Sequence, residues 1–355
     1  MRRKGATIYA MLCTLLLAAG FVLVFFFAWK AGSREMAECV VGVVLGFSIS
    51  PIVHELGHIL CAKSAKMRIV YTKFFCFRIF IKDGKTRFGF ASPFAADQTQ
   101  VIPKLGGDMQ KRALHYTRGG LFMSLALLLL ALSASFACMY FGNTSYILWG
   151  FVPYAAYLLA LNALPLEYAS GKTDMLVYRG IKKGFDAEKT MLAAMEIQGR
   201  LYAGERYCEI EESLYYDLPQ LCEDEPLYAV MLDLRYRYHL EKEEMEKAAD
   251  CLNRLAVSQA YLSDEELEKI AAELTYMHSL NGDIERAEES AKLCMGYLQS
   301  GQASAKRILA AYAALRGQKE GVETLVAQAQ AALDKEWIAG NRKLEERLIS
   351  RIKVV

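Results

Sequence analysis

Two stretches of this chain go without charge for longer than a water-soluble fold requires. Between Lys4 and Lys30 the 25 residues Gly5–Trp29 contain no Asp, Glu, Lys or Arg, and Gly119–Leu166 is a second such run of 48. A hydrocarbon core of roughly 30 Å is crossed by about 20 helical residues. The first run therefore predicts one span, at about residues 6–29. Its basic start, Met1-Arg-Arg-Lys4, looks like a targeting segment. The apolar run nevertheless continues through Phe25-Phe26-Phe27, beyond the about 7–15 residues of a cleaved signal, so an anchor is expected. The second run is too long for one span. It predicts two, at about 119–141 and 146–166, parted by Gly142-Asn-Thr-Ser145. A fourth is expected at about 38–62, where Gly42 and Gly46 leave room for another helix to come close.

Charge divides the chain as hydropathy does. Residues 1–175 carry 18 basic and 8 acidic side chains, and residues 176–355 carry 24 and 32. A basic, apolar front half and an acidic, charged back half predict a membrane domain over 1–178 and a water-soluble helical domain over 179–355. The balance excludes a disordered chain and a nucleic-acid binder working through an overall basic field. Basic residues also give a direction. The loop from Lys63 to Arg118 holds 12 Lys or Arg, the link between the first two spans only Lys30 and Arg34, and the link at 142–145 none. The positive-inside rule then places both termini, that loop and the C-terminal half in the cytoplasm, with the cell membrane the expected location. The nine cysteines have no short paired spacing and read as reduced thiols.

Inside the predicted second span stands His54-Glu55-Leu56-Gly57-His58. Imidazoles at i and i+4 lie one turn apart on one helical face, a spacing that lets both bind one zinc ion. Glu55, one residue on, does not share that face but can reach a metal-bound water as general base. Three ionisable side chains in an apolar span are costly unless they meet a polar cavity or a metal. His58 lies five residues before Lys63, so at about 1.5 Å per residue the site sits about 7–8 Å inside the cytoplasmic boundary. Catalytic zinc usually has a third protein ligand, which must come from elsewhere in the chain.

The fourth predicted span ends at Asn162-Ala-Leu-Pro165, followed by Leu-Glu167-Tyr-Ala-Ser-Gly171-Lys-Thr-Asp174-Met175. Together with the His-Glu-x-x-His motif in a span, this segment resembles the site-2 protease family of intramembrane zinc metalloproteases. The resemblance covers roughly residues 37–178. It implies His54, His58 and Asp174 as zinc ligands, Glu55 as base, and Asn162 as a residue that orients substrate. Two features depart from the family pattern. Met175 stands where Gly usually follows the Asp, and Glu167 offers an alternative carboxylate. For Asn162 and Pro165 a helix-end kink with local hydrogen bonding is an alternative reading. Gly119-Gly120 and Ser124 are assigned to helix packing, without chemistry.

Before the third span, Phe74-Phe-Cys-Phe-Arg-Ile-Phe-Ile-Lys82, Asp83-Gly84 and Lys-Thr-Arg-Phe-Gly-Phe90 predict a β-hairpin over about 68–91. Its aromatics alternate with basic residues, as suits a sheet at the membrane interface facing lipid phosphates. Such a sheet could hold an unwound substrate by strand addition, or be only an amphipathic patch. In the back half, Met245-Glu-Lys-Ala248, Ile284-Glu-Arg-Ala287 and, more loosely, Lys319-Glu-Gly-Val322 recur after helix-forming segments. Helix pairs at this period look like tetratricopeptide-type repeats, loosely matched. They would bind a cytoplasmic regulatory protein, or else form a passive bundle. His239 and His278 read as ordinary helix-surface residues.

The expectation is a mainly α polytopic membrane protein with a membrane-associated hairpin and a solenoid-like cytoplasmic domain. Its expected activity is zinc endopeptidase cleavage of a membrane-anchored protein near the cytosolic end of its span. The alternative is a catalytically silent membrane adaptor that binds partners through the helical repeats.

Overall fold

A computed structural model of the chain describes residues 2–82, 85–92, 98–168, 171–223, 225–257 and 262–352. The fold is mainly helical with a small sheet, and among the described residues four helices are long and apolar enough to cross a membrane: Gly5–Ala31, Ser33–Ser64, Met109–Tyr140 and Tyr146–Ala163. The described residues form two compact units, the first ending at Glu188 and the second beginning at Lys189, with segments 82–85 and 103–107 grouped with the second.

The first unit opens with α1 (Arg2–Ala31) and α2 (Ser33–Ser64), then β1 (Met67–Phe74), β2 (Phe77–Lys82), β3 (Lys85–Phe90) and β4 (Gln98–Pro103). It continues with α3 (Met109–Tyr140), α4 (Tyr146–Ala163), the two-residue strands β5 (Glu167–Tyr168) and β6 (Gly171–Lys172), and α5 (Asp174–Lys183). Helix α3 starts ten residues before the span expected from the charge-free run. Asp108 accepts from the Lys111 amide at 3.1 Å and caps a charged first turn that hydropathy does not register. Helix α4 ends at Ala163, short of the expected 166, because Leu164 precedes a proline and is extended, at φ −103° and ψ 147°.

Backbones come close where small residues permit it. A β-carbon on Gly42 would overlap the Ile147 carbonyl, and one on Gly150 would lie 2.5 Å from the Cys39 carbonyl, so α2 and α4 cross along the small-residue pair. Gly57 and Gly119 meet in the same way, each blocking a β-carbon on the other, and this seats α3 against α2.

The sheet has the order β3-β2-β1-β4, which leaves β4 at one edge. The segment expected as one hairpin thus contains three strands. Its first apolar run is not continuous: Phe74 pairs with Phe77 across a two-residue reversal in which Phe75 has φ 51°. That turn escapes sequence reading because an aromatic and a cysteine occupy it, where Asn or Gly is the usual signal. The expected Asp83-Gly84 turn lies outside the described residues. Strand β4 was not foreseen.

Helix α6 (Asp186–Ala203) carries the boundary between the units, and α7 (Ser213–Tyr216), α8 (Pro226–Lys242), α9 (Met245–Val257), α10 (Asp264–Leu280) and α11 (Ile284–Lys292) follow. The chain closes with α12 (Met295–Leu298), α13 (Ala303–Leu315), α14 (Lys319–Ala332) and α15 (Ala339–Ser350). The recurring sequence unit opens the second helix of each pair, at Met245, Ile284 and Lys319. Its fourth residue, Ala248, Ala287 or Val322, is buried each time. Arg307 is fully buried, with Nε 2.8 Å from Glu345 and Nη2 2.7 Å from Glu273, and its guanidinium lies over the Tyr276 ring. His239 corrects the surface reading: it is buried, with Nδ1 2.6 Å from Glu244 and Nε2 against the Tyr216 hydroxyl. Its carboxylate partner is five residues away, off the i+3/i+4 face that helical spacing inspects. His278 is partly exposed.

Candidate metal centre

Helix α2 brings His54 and His58 onto one face, and both are nearly inaccessible, at 7% and 5% exposure. Asp174 reaches them from the first residue of α5. Its place is fixed by Thr173, whose hydroxyl donates to the Leu164 carbonyl at 2.7 Å and accepts from the Leu176 amide at 3.2 Å. One hydroxyl therefore ties the end of α4 to the start of α5. Asp174 Oδ2 lies 3.2 Å from His54 Nε2 and 3.2 Å from His58 Nε2. The ligand atoms of the three residues all lie within 4.8 Å of one another, a group that could hold a metal ion. Glu167 is not in that group: it is exposed on β5, opposite Lys172.

The protonation pattern follows from the far side of each ring. His58 Nδ1 is 3.1 Å from the Tyr116 backbone carbonyl, which can only accept, so Nδ1 carries a proton and, in the neutral ring, Nε2 presents a lone pair. His54 Nδ1 is 2.9 Å from Ser124 Oγ. Asp174 Oδ2 is buried and makes no hydrogen bond. With both rings neutral and their protons on Nδ1, three electron-rich atoms face one point, an arrangement that is repulsive unless a cation stands among them. Bonds of about 2.0–2.2 Å from a tetrahedral ion would set neighbouring donors roughly 3.3–3.6 Å apart, close to the carboxylate–imidazole separations here. The donor set, two nitrogens and one carboxylate oxygen, suits zinc chemistry, so the residues fit the metal that their spacing suggests.

Room for the centre comes from Gly120 on α3. A β-carbon there would overlap His58 Nε2 and lie 2.7 Å from His54 Nε2. Tyr116, Gly120 and Ser124 are spaced by four, one stripe of α3 turned to the two rings. Beside them Glu55 is 3% exposed and accepts from Thr99 Oγ1 of β4 at 2.5 Å. A cavity of about 390 Å³ opens onto the group, with Gln98, Thr99, Asn162 and Lys172 among its walls. Asn162 stands there but gives its side-chain amide to the Leu158 carbonyl of its own helix at 3.3 Å. Lys172 is paired with Glu188 at 2.9 Å.

Of four contributors, sequence reasoning took Ser124 for helix packing and missed Tyr116, Thr99 and Lys172. Only the first two left a signal, the i, i+4, i+8 spacing about Gly120. The chain matches no protein-family model, no curated protein and no solved structure.

Proposed function

We propose that the protein is a zinc-dependent intramembrane endopeptidase of the site-2 protease kind. It would cut membrane-anchored proteins near the cytosolic end of a transmembrane segment. The observation that carries this reading is that Asp174 meets His54 and His58, two residues of a helix apolar enough to span, at 3.2 Å carboxylate–imidazole distances, with a glutamate beside them. These three residues would hold the ion, and bound zinc supplies a Lewis acid that polarises a carbonyl and lowers the pKa of water.

The remaining work falls to the chain. Glu55 takes the proton of the attacking water and returns it to the leaving amine as the peptide bond breaks. Ser124 and the Tyr116 carbonyl hold the imidazoles in orientation. Helical substrate hides its peptide bonds, so it must be extended before cleavage. Strand β4 offers an edge for that, with Gln98 and Thr99 on the cavity wall. Asn162 would orient the extended chain by turning its amide from Leu158 to the substrate.

The four long helices are read as membrane spans. Phe88 and Phe90 of β3 are largely exposed next to Lys85 and Arg87, which suits contact with the bilayer interface. The distribution of Lys and Arg supports a cytoplasmic side for both termini, where the C-terminal helices would meet a regulatory protein. The test is cleavage of tagged single-span proteins in a host expressing wild type or Glu55→Gln. Wild type cuts and Glu55→Gln does not; equal cutting by both would remove Glu55 from the reaction.

A further inference from the structure

Glu55 poses a geometric problem that its own helix does not solve. One residue beyond His54, it points about 100° around the helix from the ligand face. A flexible carboxylate there needs an outside support to be held for proton transfer. That support comes from the sheet. Thr99 Oγ1 of β4 is 2.5 Å from Glu55 Oε2, and Thr72 Oγ1 of β1 is 2.7 Å from Thr99 Oγ1. A carboxylate only accepts, and a hydroxyl has one proton to give. Thr99 therefore donates to Glu55, and Thr72 must donate to Thr99. The order of donors along this chain is fixed.

Both threonines are themselves fixed. Thr72 is 1% exposed in β1, and the Thr99 carbonyl accepts the Tyr116 hydroxyl. Tyr116 thus holds two parts of the centre at once, His58 through its carbonyl and β4 through its hydroxyl.

We infer that Thr99 is the positioning residue for the general base, with Thr72 orienting its hydroxyl. The strand that walls the substrate cavity also aims the base, and displacement of β4 would disturb substrate seating and proton transfer together. This inference rests on the reading of Glu55 as base, and its first readout does not need turnover.

The test uses detergent-purified full-length protein carrying ¹³C-labelled glutamate. The infrared difference between wild type and Glu55→Gln isolates the Glu55 carboxylate stretch. Thr99→Val should shift that band and keep the metal, and Thr99→Ser should restore the wild-type position. With a cleavable single-span substrate, Thr99→Val should lower kcat by about 10–100-fold at unchanged KM, and Thr99→Ser should recover most of it. An unshifted band in Thr99→Val, or a Thr99→Ser as impaired as Thr99→Val, overturns the inference. If Thr99→Val fails to fold, Thr72→Val carries the test: it should shift the same band, and no shift overturns the relay. A shifted band in a protein that cuts nothing supports the Thr99 contact and places the failure in the protease reading.

Discussion

Asp174 Oδ2 and His58 Nε2 face each other at 3.2 Å across a buried gap, and in the neutral ring the proton of that imidazole is on the opposite nitrogen, Nδ1. A pair arranged in this way is repulsive alone and attractive around a cation. Asp174 and His58 are 116 positions apart, yet the cap at Thr173 and the tyrosine carbonyl at position 116 aim both side chains at the same point.

The absence of a side chain at residue 120 should be needed for metal binding. Gly120→Ala places a methyl group against both imidazoles. Ala in a helix is favoured over Gly by about 0.5–1 kcal/mol, so the helix itself gains. The expected outcome is a folded protein with little metal, read by elemental analysis and circular dichroism. Full metal content in Gly120→Ala would contradict the placement of the centre.

Ser124→Ala removes the partner of His54 Nδ1 while leaving all three ligands. Loss of such an outer partner typically costs about 10–100-fold in metal affinity or activity. Competition with a chromophoric chelator should show a weaker site with unchanged stoichiometry. An affinity equal to wild type would make Ser124 a packing residue only.

The four long apolar helices and the shared face of His54 and His58 were legible in the sequence because each is a local property. Charge-free length gives a helix long and apolar enough to cross a membrane, and the i, i+4 spacing of His54 and His58 gives their shared face. Asp174 came from a resemblance, not from spacing. Ser124, Tyr116 and Thr99 are 70, 58 and 44 positions from their partners His54, His58 and Glu55, and no local pattern encodes those pairings. Strand β4 was missed because Gln98-Thr-Gln-Val-Ile-Pro103 is short, polar at its start and ended by proline. His239 was misread for a related reason: its burial depends on tertiary partners, and its carboxylate, Glu244, lies outside the spacing at which partners are sought along a helix.

In the C-terminal unit, Arg307 is buried between Glu273 and Glu345. Removing one member of a buried ion cluster leaves uncompensated charge and costs about 3–5 kcal/mol. Arg307→Ala should therefore lower the thermal or denaturant midpoint of this unit in the full-length protein markedly. The exposed pair Lys269–Glu265 supplies a control, since Lys269→Ala should change stability by no more than about 1 kcal/mol. Equal effects of the two substitutions would contradict a structural role for the buried cluster.

The most direct measurement is the zinc content of detergent-purified wild type beside Asp174→Ala and Glu167→Ala. About one zinc per chain is expected in wild type, with its loss in Asp174→Ala and its retention in Glu167→Ala. A wild type that binds no metal when handled without chelators would contradict a zinc endopeptidase and leave the catalytically silent membrane adaptor. Retention of zinc in Asp174→Ala would contradict the ligand set.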